Sequence, residues 1–395
     1  MTISGKIILK KGKEISIQRF HPWIFSGAIQ KIDGAVTEGC WVEVIDFKNQ
    51  TLGFGHYQNG SIAVRMLSFK SERPSENFWS EKIAAALAVR NSAGLPDTTT
   101  NAFRLIHGEG DGLPGLIVDY YAGALVMQAH SAGMHNDRHD IANALQKVFG
   151  NNLISIYYKS QSTLPGKMRD AGQDEYLFGN ALTQHIILEN NNQFYVDWQE
   201  GQKTGFFLDQ RDNRKLLGDF TRNKKVLNTF CYTGGFSVYA LTTGAVLVHS
   251  VDSSQKAIDL TIKNIELNGF NPEVHQCFTA DTFDFLKDNE NEYEVMILDP
   301  PAFAKHRDAR HQAVRGYQRL NAEAMRAIKP GGIIFTFSCS QVVDRQLFYD
   351  TIVSAAIQSG REIRVLHHLS QPADHPVSIF HPEGEYLKGL VLYVA

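Results

Sequence analysis

From Val226 to the C-terminus, short apolar runs alternate with stretches of helical spacing. The runs Val226–Phe230, Val246–Val251, Glu273–Phe278, Val295–Leu298 and Ile333–Phe337 predict strands. The stretches Phe236–Thr243, Gln255–Asn268, Thr282–Lys287, Tyr317–Ile328 and Asp344–Ser359 predict helices. Strands that alternate with helices in this way pair in parallel, so the pattern predicts an α/β fold with a doubly wound sheet. Two later runs, Glu362–Leu369 and Leu387–Tyr393, predict a closing antiparallel hairpin.

The earlier part of the chain has a different rhythm. Residues 1–70 predict short strands at Lys6–Leu9, Trp41–Asp46, Thr51–Tyr57 and Ile62–Leu67, punctuated by glycines, as in a small β-barrel. A helix over Glu76–Ala93 stops at Gly94 and Pro96. Beyond it, Phe103–Ile106 leads into the turn G-E-G-D-G-L-P-G, Gly108–Gly115. Leu116–Tyr121 and Ala124–Ala129 predict a hairpin turned at Ala122-Gly123. A helix over Asn136–Phe149, a strand over Leu153–Tyr158, a loop over Leu164–Glu175 and strands near Thr183–Glu189 and Gln193–Asp197 complete an α+β region. The acidic turn at Asp111 lacks the ligand spacing of a calcium loop and is predicted to be only a turn. The pattern divides the chain into domains at residues 1–70, 71–190 and 191–395.

Composition adds exclusions. With 395 residues and 43% hydrophobic content, the chain can bury the cores of two or three domains. No apolar run approaches the length of a membrane span, and the N-terminus carries no apolar signal stretch. Cys40, Cys231, Cys277 and Cys339 have no C-x-x-C spacing, which argues against a zinc site or disulfide framework and fits a reducing cytoplasm. Net charge is −3, yet residues 1–70 hold nine Lys or Arg against five Asp or Glu, a mildly basic surface able to touch phosphates.

Candidate chemistry gathers at the predicted strand ends, where open α/β sheets bind ligands. The first strand runs into N-T-F-C-Y-T-G-G-F-S, Asn228–Ser237, placing Phe230, Tyr232, Thr233 and Gly234 in a tight turn. This is not G-x-G-x-x-G, so a pyrophosphate cradle fits poorly. The second strand ends at Asp252-Ser253, where an acid can accept from both ribose hydroxyls; the third leads to Asp281, placed to accept from an adenine amine. Each acid could instead cap the helix that follows it. Together they suit S-adenosylmethionine (SAM) better than NAD. Upstream, T-G-F-F-L-D-Q-R, Thr204–Arg211, offers two phenylalanines as a wall, with Gln210 and Arg211 for the methionine end; the alternative is core packing and a surface charge.

The fourth strand ends in L-D-P-P-A-F, Leu298–Phe303, and the fifth in F-S-C-S, Phe337–Ser340. A carboxylate on a stiff Pro-Pro turn, Asp299, and a thiol, Cys339, would then face one crevice. Carbon 5 of cytosine is too poor a nucleophile to take a methyl group directly. A thiolate that adds to carbon 6 makes carbon 5 enamine-like, which is why a cysteine would stand beside the methyl donor. Asp299 could hold the exocyclic amine of a base taken out of its stack. The bland alternative for Cys339 is a small buried hydrophobe.

These motifs, taken in order, resemble those of the ribosomal RNA large subunit methyltransferase I family, the 23S rRNA cytosine-5 methyltransferases. L-K-K-G-K-E with H-P-W-I-F-S-G-A-I (Leu9–Glu14, His21–Ile29), V-D-S-S, L-D-P-P-A-F-A-K and the late A-D-H-P-V and H-P-E-G-E-Y-L-K-G (Ala373–Val377, His381–Gly389) extend the resemblance over nearly the whole chain. It implies an N-terminal PUA domain that binds RNA, a central α+β domain and a class I SAM methyltransferase domain. It also implies Cys339 as nucleophile, with Asp252, Asp281 and Asp299 in the donor and target site, and 23S rRNA or a large-subunit precursor as partner. Related enzymes with two cysteines carry the second where this chain has Ala302, so another group must take the carbon-5 proton. Glu383, Glu385 and Asp299 are the candidates, with a solvated turn as the alternative for the two glutamates; Lys305 could bind phosphate. Two other functions stay open: methylation of guanine or an exocyclic amine with no covalent intermediate, and an RNA-binding assembly factor without turnover. An exposed edge such as the central hairpin could pair two copies.

Overall fold

The computed structural model describes residues 2–166, 168, 173–181, 185–304 and 306–395. The chain folds as two compact units. The first takes residues 1–185, 196–206 and 373–384; the second takes 186–195, 207–372 and 385–395.

The first unit opens with a six-stranded sheet in the order β2-β6-β5-β4-β1-β3. The strands are β1 (Ile3–Leu9), β2 (Trp23–Phe25), β3 (Ile29–Gly34), β4 (Trp41–Ile45), β5 (Thr51–Tyr57) and β6 (Ile62–Ser68). Ile7, Leu9, Val42, Val44, Val64 and Met66 alternate into one core. β2 and β3 were not predicted. They are the two outer strands, and β3 is exposed along nearly all its length, so it carries no apolar alternation to read.

A second sheet has the order β11-β10-β9-β8-β7. It comprises β7 (Ala102–His107), β8 (Leu116–Tyr121), β9 (Ala124–Ala129), β10 (Ser155–Tyr158) and β11 (Glu175–Phe178). β8 and β9 form the predicted hairpin, with left-handed φ of 45° and 96° at Ala122 and Gly123. The hairpin lies inside the sheet, with β7 on one side and β10 on the other. It therefore has no open edge for a second copy, which corrects the expected mode of pairing. β11 starts where the predicted loop over Leu164–Glu175 was to end; part of that loop lies outside the described residues. The Asp111 carboxylate is spent on Arg90, a fully buried side chain whose Nη2 donates to it over 2.8 Å, and on the His107 amide at 2.6 Å.

The segment 373–384 belongs to this first unit, although the chain leaves the second unit to reach it. Asp374 is fully buried and accepts from the Arg104 amide over 3.0 Å, while its own carbonyl accepts from Arg90 at 2.8 Å. His381 packs its ring 4.3 Å from that of Trp23.

The second unit is a seven-stranded sheet in the order β16-β15-β14-β17-β18-β20-β19. β14 (Lys225–Thr229), β15 (Leu247–Asp252), β16 (His275–Thr279), β17 (Val295–Leu298) and β18 (Gly332–Ser338) run parallel, as the sequence pattern predicts. β19 (Ile363–Ser370) and β20 (Lys388–Val394) form the antiparallel hairpin, and β20 inserts between β18 and β19. Strand order reverses between β14 and β17, the place where such sheets open a crevice at their C-terminal ends. The hairpin of β12 (Ile186–Glu189) and β13 (Asn192–Tyr195) also belongs here rather than closing the central region. Asn264, on the helix Gln255–Leu267, and Asn268, which ends it, accept from the Tyr195 and Gln193 amides, each over 2.9 Å. Side-chain amides capping a strand leave no hydrophobic period, so the sequence does not announce this docking. Among the described residues, no helix is long and apolar enough to cross a membrane.

Candidate active site

The turn after β14 is wound tightly. Phe230, Tyr232 and Gly234 all take left-handed φ, at 54°, 48° and 73°. A Cβ on Gly234 would come within 2.7 Å of the Thr261 methyl, so glycine is required both for its conformation and for close packing. Two side chains of the helix Gln255–Leu267 fasten the turn. Thr261 donates to the Tyr232 carbonyl over 3.0 Å, and Asn264 to the Thr233 carbonyl over 2.8 Å.

Asp252 stands half-buried at the end of β15. Its Oδ2 accepts from the Tyr232 amide at 3.1 Å and its Oδ1 from the Ser254 amide at 2.9 Å. Ser254, not Asp252, caps the helix, and Ser253 is exposed beside it. Asp281 does cap its helix: Oδ1 accepts from Phe283 and Asp284 over 2.8 and 3.2 Å, leaving Oδ2 outside those bonds. Three of the turn's amides are already occupied. Cys231 donates to Val251, Tyr232 to Asp252 and Gly234 to Cys231. A phosphate cradle needs such amides unspent. Acidic acceptors beside a turn with three amides already spent therefore fit a nucleoside without a pyrophosphate, as SAM is.

T-G-F-F-L-D-Q-R divides between the units. Thr204 is buried in the first unit, donating to Asp119 over 2.6 Å, and Phe206 is core there. In the second unit the Phe207 ring meets that of Tyr232 edge-on at 5.0 Å, so this phenylalanine does flank the glycine turn. Gln210 and Arg211 are buried at the start of the helix Arg211–Thr221, where Gln210 accepts from Asn213 over 2.7 Å. Sequence reasoning passed over Arg214. This side chain makes a bidentate pair with fully buried Glu189 at 2.7 and 2.8 Å and donates to the Phe207 carbonyl at 3.0 Å. Tyr239 donates to the same carboxylate over 3.0 Å. Burial opposes the Arg214 charge, and Glu189 more than restores it. Its only sequence signal is its place one turn beyond the chosen arginine.

At the other side of the crevice, β17 and β18 pair in parallel with Leu298 opposite Thr336, so Asp299 and Cys339 emerge from neighbouring strands. The two loops are tied: buried Ser340 donates its hydroxyl to the Ala304 carbonyl over 2.8 Å. Tyr317, fully buried in the helix Arg310–Ala327, packs its ring 4.7 Å from that of Phe303 and lies within electrostatic reach of both Cys339 and Asp299. Burial, with those two groups adding to it, raises its phenol well above the ordinary value. Sequence reasoning also missed Lys388. It is 3% exposed, opposite Ser338 in the β18–β20 register, and donates to the Ser340 and Val343 carbonyls over 2.7 and 2.5 Å. It sits inside a quoted motif, Y-L-K-G, but nothing in that string marks the lysine as buried.

The three base candidates have different settings. Asp299 is at the strand ends. Glu385 is held by the Arg345 guanidinium, whose Nε donates over 3.0 Å. Glu383 lies in the segment that joins the first unit, with its side chain 61% exposed and its carboxylate 3.9 Å from His381. Lys305 lies outside the described residues.

Comparison with known proteins agrees with this geometry. A PUA-like domain family matches residues 7–69, and an S-adenosylmethionine-dependent methyltransferase family matches residues 103–383. Two solved structures share the fold over the full length of both chains at 23% identity. One, from Streptococcus mutans, is described as a SAM-dependent methyltransferase, with a TM-score of 0.83; the other is a methyltransferase complexed with SAH, with a TM-score of 0.84. The cofactor is S-adenosylmethionine. Proteins named ribosomal RNA large subunit methyltransferase I are 37% identical in Alteromonas mediterranea and 38% in Aeromonas hydrophila, over 99% of each chain. With its PUA-like module, its methyltransferase sheet and this full-length likeness, the chain belongs to the ribosomal RNA large subunit methyltransferase I family.

Proposed function

We propose that this enzyme methylates carbon 5 of a cytosine in 23S rRNA, or in a large-subunit precursor, through a covalent adduct with Cys339. The observation that carries the reading is the Ser340–Ala304 hydrogen bond of 2.8 Å, which ties the thiol-bearing turn to the Asp-Pro-Pro turn at the ends of adjacent strands. The names of the relatives supply the RNA class, and the chemistry of the thiol supplies the atom.

In this reading the Cys339 thiolate adds to carbon 6 of a flipped cytosine, forming the S–C6 bond and moving the ring π electrons to carbon 5. Asp299 accepts from the exocyclic amine and fixes the ring. Bound SAM supplies a methyl group on a sulfonium. After transfer, a carboxylate, Glu383 or Asp299, removes the carbon-5 proton, and the returning electrons break the S–C6 bond. Glu383→Gln should then accumulate the adduct, visible as a protein–RNA band that survives denaturation; turnover at the wild-type rate would leave the proton to Asp299. Gln210, Arg211, Phe230, Tyr232, Thr233, Gly234, Asp252, Ser253 and Asp281 line the donor side, with Asp252 on the ribose. Residues 1–70 would hold the RNA backbone, and the reaction would take place in the cytoplasm.

The test is methylation of deproteinised 23S rRNA and of subunits with labelled SAM, followed by mapping of the methyl group. Label on carbon 5 of one cytosine is expected. Label on guanine or an exocyclic amine, with cytosines unmodified, would replace the covalent mechanism with the non-covalent one. Asp252→Ala should weaken SAM binding by about 30-fold, the loss of a charged hydrogen-bond acceptor. Calorimetry showing wild-type affinity would remove the ribose role.

A further inference from the structure

Lys388 is buried, and among the described residues no carboxylate makes a salt bridge to its nitrogen. Among the described residues its nitrogen bonds to two backbone carbonyls, those of Ser340 and Val343, at 2.7 and 2.5 Å. The acid at the same end of the sheet, Glu385, is taken by Arg345. A buried ammonium is costly, and a neutral donor could pin two carbonyls as well. The charge therefore needs another reason. The two carbonyls belong to the turn that carries Cys339 between them and Ser338, the residue opposite Lys388 in the sheet. Asp299, at the end of β17, opposes ionisation of the thiol by like charge, while Tyr317, which faces it from the helix Arg310–Ala327, stays a neutral phenol.

We propose that Lys388 is a positioning residue that holds the Cys339 turn in place and supplies the positive charge that keeps the thiol ionised. The proposal rests on Cys339 being the nucleophile. The groups facing Lys388 are Cys339 on its own turn, Glu385 just before β20, and Arg345 and Asp344 at the start of the helix Arg345–Ser359. Burial, the largest influence, lowers the lysine to about 8, and the thiol is the strongest of the charges working to raise it again. A positive charge there favours the thiolate over the thiol.

The test is alkylation of the full-length enzyme by iodoacetamide from about pH 5 to 10, read by mass spectrometry of the Cys339 peptide. The wild-type midpoint should lie below the ordinary cysteine value of about 8.5. Lys388→Met should raise it by roughly one unit or more and slow methylation at saturating substrates by roughly 10-fold or more, with SAM affinity unchanged. Lys388→Arg, which restores the charge, should return the midpoint toward wild type. A wild-type midpoint at or above 8.5 overturns the proposal with no variant needed. So does an unmoved midpoint in a folded Lys388→Met. A Cys339→Ala enzyme that still methylates cytosine would instead overturn the nucleophile reading itself, so the two failures are distinguishable.

Discussion

Cys339→Ala will lose methyl transfer to cytosine by about 10⁴-fold or more while keeping its fold and its affinity for SAM. The magnitude follows from the chemistry. Without a sulfur at carbon 6, carbon 5 stays an unactivated ring carbon. The selectivity follows from position. Cys339 is half-buried on a turn after β18, and hydrogen bonds through Ser340 and Lys388 hold that turn. Removing one sulfur leaves those bonds in place, and the acids at the ends of β15 and β16 are untouched. Single-turnover methylation measures the loss; calorimetry with SAM and a thermal melt check the rest. Methylation of carbon 5 at even a tenth of the wild-type rate would exclude the covalent route.

The second large effect concerns stability. Arg214→Met should destabilise the second unit by about 3–5 kcal/mol, because it strands the Glu189 carboxylate in the interior. That carboxylate is fully buried and, among the described residues, keeps only Tyr239 as a side-chain donor once the guanidinium has gone. In a unit of this size the melting temperature should fall by roughly 10 °C. SAM binding should weaken as well. Arg214 packs its Cδ where a Cβ on Gly235 would lie 3.1 Å away, and it holds the Phe207 carbonyl. Replacing both partners, Arg214→Met with Glu189→Leu, removes the stranded charge and should recover much of the stability. If the single variant melts within a degree or two of wild type, the pair is not a structural anchor.

Much of the site was legible because it depends on local sequence. The end of each parallel strand is marked where an apolar run stops, and the residues that follow, Asp252, Asp281, Asp299 and Cys339, read directly from the string. The glycine turn at 234 was legible too, since few other residues take that backbone conformation. What escaped were contacts between segments distant in the chain. Glu189 and Arg214 are 25 positions apart, and Lys388 lies 48 beyond Ser340, whose carbonyl it holds. Each is a buried charge, and a charged letter in a sequence reads as surface until its partner is known.

The sequence by itself determined the doubly wound sheet, the β-rich N-terminal module and the order of chemical groups along the strand ends. It could do so because apolar period and turn chemistry are properties of neighbouring residues. Only the tertiary structure decided that β20 inserts beside β18 and so delivers Lys388 to the Cys339 turn. It also decided that the hairpin of β12 and β13 docks through Asn264 and Asn268, and that residues 373–384 join the first unit. Those choices are made by long-range hydrogen bonds and buried ion pairs, which have no period along the chain.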